Sequence, residues 1–159
     1  MRAAGVILDY ALFGAIAQMR YTQPVVTLDF DVLLELPSTS RIDILGGVYQ
    51  FCAERGFQPE GEAIRIGAWP VQFLPAYDSL THEALREAQT ARMSGVPVRV
   101  VSADYLATIA LSTGREKDNA RILALLESGK TNRRRIAKLA KAFGLGRKWQ
   151  RFVKRHLDE

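Results

Sequence analysis

The spacing of apolar and polar positions predicts strands with interspersed helices in the first hundred residues and helices alone after that. Residues 2 to 13 read as a short helix running into a strand that ends at Gly14. "AIAQMRYT" adds a turn or two of helix, which Pro24 stops. In "VTLDFDVLLEL", Phe30, Val32 and Leu34 face one way and Asp29, Asp31 and Leu33 the other, the period of a strand. "PSTS" supplies a helix start with Ser38 or Ser40 as cap, and "RIDILGGVYQFCAERG" reads as a helix stopped by Gly56 and weakened by Gly46–Gly47. "AIRIGAWPVQFLPAY" alternates like a hairpin, Ile64 and Ile66 on one arm, Val71 and Phe73 on the other. A helix is expected over "DSLTHEALREAQTARMSG", capped at Ser79 or Thr81 ahead of Glu83, and a strand over "VPVRVVS".

Four further helices are expected: one capped by Ser102 and closed by Gly114, one over "EKDNARILALLESG", one starting at Thr131 or Asn132, and one over "RKWQRFVKRHL". In the third, Ile136, Leu139 and Phe143 share a stripe opposite Arg134, Lys138 and Lys141; in the last, Trp149, Phe152 and Val153 turn inward. The order predicts an α/β (α+β) fold, with a mixed sheet and helices over residues 1–101 and a helical region over 102–159.

Composition changes this picture little: 159 residues, 48% hydrophobic, ordinary for a globular protein. Cys52 is the single cysteine, so no internal disulfide can form, and the expectation for it is a small buried apolar group. His82 and His156 are far apart without cysteine partners, which argues against zinc. The apolar run near the N-terminus contains Asp9 and Tyr10 and is too short to span a bilayer, so no membrane and a cytoplasmic location are expected.

Charge changes it more. Eleven of the 22 Lys and Arg fall between Lys130 and Arg155, a span without Asp or Glu. The rest carries eleven basic against 17 acidic residues. A basic tail on an acidic body predicts a polyanionic partner, RNA above all, with Arg133, Arg134, Lys138, Lys141, Arg147, Lys148 and Arg151 as its contacts.

The candidate chemistry lies in Asp29 and Asp31. Two carboxylates on one strand face repel unless a cation sits between them, and magnesium takes one or two carboxylates together with substrate phosphates. Gly14 lies upstream between a strand and a helix, where free N–H groups can meet a phosphate. With that glycine, "FGAIA" followed by "TLDFDV" resembles the entry motif of the nucleotidyltransferase superfamily, and in particular small bacterial proteins related to AbiEii-type toxins and minimal nucleotidyltransferases. "VRVVSADYLATIALSTGREKDNARILALLESG" and "GLGRKWQRF" resemble their later segments, so the likeness covers nearly the whole chain.

The resemblance implies a nucleotidyltransferase-like fold and Mg²⁺-dependent transfer of a nucleotidyl group from an NTP to an acceptor, RNA such as tRNA or a protein, in a toxin–antitoxin-like setting. It implies Asp29 and Asp31 as the metal-binding, catalytic pair, Asp118 as a further catalytic acid, and Gly14, Ala15, Thr27 and Arg115 on the nucleotide side. The chain departs from the pattern at Ala15 for a phosphate-binding Ser, Val25 for Arg, Gln72 for the third carboxylate and Ala110 for a triphosphate-contacting Lys. Asp78 and Glu60 are candidate replacements for the missing acid. Two other readings stay open: a degenerate nucleotide- or RNA-binding module, and a structural or interaction protein with incidental acids. Trp69 is expected to cover the core or to stack a base.

Overall fold

The structure, a computed structural model, describes residues 1–38 and 43–158. Seven strands form one mixed sheet: β1 (Asp9–Leu12), β2 (Phe30–Glu35), β3 (Gln58–Glu60), β4 (Ala63–Ile66), β5 (Trp69–Pro75), β6 (Gln89–Met93) and β7 (Val96–Val100). Their spatial order is β3-β4-β5-β2-β1-β7-β6. β2 pairs antiparallel with β1 and parallel with β5, and β1 runs parallel to β7. The helices are α1 (Gly14–Gln18), α2 (Gly46–Ala53), α3 (Ser79–Arg86), α4 (Ala103–Thr113), α5 (Glu116–Glu127), α6 (Arg133–Ala142) and α7 (Gly146–His156).

Leu33 and Leu34 are neighbours on β2, point to opposite faces, and are both buried, so apolar layers cover this strand from both sides. On one side Leu34, Ile64 and Phe73 pack with Val48 and Cys52 of α2. On the other, Leu33 belongs to a larger cluster that takes in Leu80, Leu106, Ile122, Ile136 and Phe152 from α3 to α7. Cys52 is free and buried, as expected.

Several expectations change. Residues 2–5 form turns, not a helix, because only three short backbone bonds tie Ala4, Gly5 and Val6 back to Met1 and Arg2. The strand of "VTLDFDVLLEL" begins at Phe30, which leaves Asp29 just ahead of it. Gly46 and Gly47 open α2 instead of interrupting it, and the Asp43 carboxylate occupies the space that a Cβ at Gly46 would need. Ser40 and the helix start at 41–42 lie outside the described residues. α3 is capped by Asp78, whose carboxylate accepts from the Thr81 N–H at 2.8 Å, and it ends at Arg86. The "QTARM" expected to continue it is a strand instead, paired with β7 through a two-residue turn. Ser94 and Gly95 take φ values of 48° and 79°, the two positive φ angles that a tight hairpin of this kind requires. β3 was not expected, since Gln58–Glu60 is wholly exposed and carries no apolar alternation.

The four late helices stand where the pattern put them. α4 is preceded by Ser102 and closed by Gly114 in the left-handed conformation. The Asn132 side chain caps α6 by accepting from the Arg135 N–H at 3.0 Å. Among the described residues no helix is long and apolar enough to cross a membrane.

Candidate nucleotide site

Gly14 and Asp31 are in direct apposition. Phe13 donates its N–H to the Asp31 carbonyl at 2.9 Å, which fixes β1 against β2 at this point. The chain then turns at Gly14 with φ of 61°. A Cβ there would lie 2.0 Å from Oδ2 of Asp31. Two features favour glycine at position 14, the left-handed backbone and the Asp31 carboxylate lying where a Cβ would go. Asp29 is half-buried nearby, and the Thr27 hydroxyl donates to its carbonyl at 3.1 Å and to its Oδ1 at 3.3 Å. Burial pushes the Asp31 carboxyl above the usual carboxylate range, and the charge of Asp29 pushes it further. Arg121, Lys117 and Arg115 pull it back.

All three cations come from the N-cap and first turns of α5. Asp118, 1% exposed, holds the two arginines in place. Its Oδ2 accepts from the Arg115 Nε at 2.7 Å and from the Arg115 backbone N–H at 3.3 Å, and its Oδ1 lies 3.6 Å from an Arg121 Nη. The Arg121 Nε donates to Oε1 of Gln18 on α1 at 2.9 Å. Burial pulls the Arg121 guanidinium below its ordinary value, against the opposing fields of Asp118 and Asp31. Asp118 is thus enclosed by two arginines, apart from the carboxylate pair. Sequence reasoning missed Arg121 and Gln18. Arg121 lies three residues after Asp118, one helical turn on the same face, and that spacing was the available signal.

The sheet order and the late helices invite comparison with solved structures. An antigenic nucleotidyltransferase-like protein from Paracoccidioides brasiliensis superposes with a TM-score of 0.51 at 13% identity, over 89% of this chain and 84% of that one. The solution structure of the antibiotic-resistance factor ANT(2'')-Ia gives 0.51 at 16% identity, over 93% and 86%. The fold is nucleotidyltransferase-like. No protein-family model matches the chain, and no curated protein does.

On this nucleotidyltransferase-like frame the departures from the pattern fall as follows. Gln72 pairs directly with Asp31 across the parallel β2–β5 ladder and leans to Glu62, its Nε2 3.4 Å from Oε2. Neither proposed replacement acid reaches the pair. Glu60 is bound to Arg65 at 2.6 Å, and Asp78 caps α3. Among the described residues no group of three or more His, Cys, Asp or Glu side chains could hold a metal. Asp29 and Asp31 offer two hard carboxylate donors, the ligand type that magnesium takes. Ala110 is buried in α4, which packs against α5. Ala15 sits in the first turn of α1, beside Gly14, and Val25 lines an apolar cleft.

The seven tail cations expected to meet RNA are all exposed. Arg133 pairs with Asp158 at 3.7 Å, and the Lys148 ammonium donates to the Ser112 carbonyl. Among the described residues the other five form no ion pair. Lys148, Arg151 and Arg155 of α7 line a cleft of about 320 Å³ with Gly114 and Asn119 of the α4–α5 junction. The basic helix thus borders the same junction that presents Arg115. Trp69 is 50% exposed and meets Phe30 edge to face at 5.3 Å, so it covers little of the core.

Proposed function

We propose that the chain binds a nucleoside triphosphate with Mg²⁺ at Asp29 and Asp31 and transfers its nucleotidyl group to a polyanionic acceptor, RNA by the charge of the tail. The observation that carries this is the Asp31 carboxylate seated on Gly14, raised by burial and by Asp29, and faced by three cations of α5. A fold does not need so costly an arrangement for stability, and perturbed acids with named charge partners cluster at functional sites. Mg²⁺, when bound, neutralises phosphate charge. Asp29, bonded by Thr27, and Asp31, set against Gly14, would hold that Mg²⁺ and so position the triphosphate. Arg115 and Arg121 face the outgoing pyrophosphate, Arg121 serving where a lysine at position 110 is lacking. Asp118 is a positioning residue, because it reaches the pair only through those arginines. The exposed cations of α6 and α7 dock the acceptor strand beside the α4–α5 junction.

Attack on the α-phosphorus breaks its bond to the bridging oxygen and releases pyrophosphate. Gln72 cannot take the acceptor's proton, so that proton passes to water and turnover is slow. Incubation with α-labelled nucleotides, Mg²⁺ and total RNA tests the reading: label moves to RNA with the wild-type chain and not with Asp29→Ala or Asp31→Ala. Transfer that survives both substitutions refutes it.

A second reading, nucleotide binding without turnover, is favoured by one observation, the neutral Gln72 in register with Asp31. It predicts Mg²⁺-dependent binding with no transfer to RNA or protein.

A further inference from the structure

A cleft of about 700 Å³ opens between the end of α1, residues 25–27 and the β6–β7 hairpin. Its floor is the face of β1 and β7 that carries Leu12, Val98 and Val100, and Phe30 and Trp69 form one wall. Among the described residues the only charged ones lining it are Arg20 and Arg92, and no acid does. Neither arginine forms an ion pair among the described residues: Arg92 donates to the Gly95 carbonyl, and Arg20 lies over the Tyr21 ring. Around the rim apolar side chains stand in water, Val26 97% exposed and Met93 39%. Exposed apolar surface around a concavity is unfavourable, at roughly 25 cal/mol per Å² relative to burial, and marks a binding surface. The volume falls in the range of small-molecule clefts, about 300–1,000 Å³.

We propose that this cleft binds a small aromatic anion, its ring on the apolar floor beside Trp69 and its acidic group between Arg20 and Arg92. Two cations and no acid among the described lining residues favour an anion over a neutral ligand, and a polynucleotide would not use the apolar floor. Thr27, which holds Asp29, lines the same cleft, so the ligand sits next to the carboxylate pair. The site does not depend on the transferase reading, since it uses neither carboxylate.

The probe is 1-anilinonaphthalene-8-sulfonate, titrated by fluorescence into the full chain, with uncharged N-phenyl-1-naphthylamine as its neutral counterpart. The sulfonate binds saturably at one site, with a dissociation constant on the order of 10–100 µM. Arg20→Ala with Arg92→Ala weakens the sulfonate about three- to tenfold and leaves the neutral probe unchanged. Met93→Glu, at an exposed rim position that tolerates the change, also weakens the sulfonate, while Asp29→Ala does not. An unchanged melting temperature shows that each variant is folded. Non-saturating binding, sulfonate affinity indifferent to Arg20, Arg92 and Met93, or sedimentation showing that copies of the chain associate and exclude the probe would each overturn the proposal.

Discussion

Gly14 and Asp31 form one unit, and each explains the other. A methyl group at position 14 meets the carboxylate and forces an L-residue into a left-handed backbone, which alone costs about 1–2 kcal/mol. Gly14→Ala is expected to lower stability by about 2–3 kcal/mol in chemical denaturation, and Gly14→Ala with Asp31→Ala by less than the sum of the singles, because the clash is gone. Asp31 also gives a pH test. Its folded-state pKa is raised, so ionising it costs stability as pH rises from the unfolded value through the higher folded one, and the cost is absent below both. Asp31→Asn should therefore raise the melting temperature at pH 7, with the gain vanishing below about pH 3.8, the unfolded value. A residue that improves stability when neutralised is kept for another purpose. The pair and its glycine were legible in the sequence because glycine and paired acids in a strand region are each locally costly. Gln18 was not, since its partner Arg121 is 103 residues away and only the fold brings them together.

At the scale of elements, α5 supplies the cations whose field acts on Asp31, and one buried acid, Asp118, orders two of them. Arg121 has a side chain only 16% exposed and Arg115 one 58% exposed, though both contact Asp118. Arg121→Ala is expected to destabilise by about 2–3 kcal/mol, since it strips a partner from a buried charge. Arg115→Ala should cost no more than about 1 kcal/mol, screened by solvent. Equal losses in urea unfolding would contradict the geometry. Helix spacing made α4 to α7 readable, because their apolar stripes run the length of each helix, and Asn132 caps α6 from its side chain. The β6–β7 hairpin was hidden because Ala84, Leu85 and Ala88 continue a helical stripe past the true end at Arg86. The Ser94–Gly95 turn was the stronger signal. β3 is an exposed edge strand held by pairing with β4, which no hydrophobic period reveals.

Across the whole molecule, an acidic body carries two basic helices, an asymmetry plain in the sequence, and one of them, α7, borders the α4–α5 junction. The placement of α7 beside that junction was not plain in the sequence, because helix packing decides it. RNA affinity should fall steeply with added salt, and Lys148→Glu with Arg151→Glu should weaken it at least tenfold at low salt without unfolding the chain. Both side chains are exposed, so the loss would be electrostatic. The central claim, that Asp29 and Asp31 together hold the metal and its nucleotide, is met most directly by isothermal titration of nucleoside triphosphate into the chain with and without Mg²⁺. Binding by the wild type that requires Mg²⁺ and is lost in both Asp29→Ala and Asp31→Asn is the predicted result. Binding of equal strength without the metal, or in either variant, would contradict it.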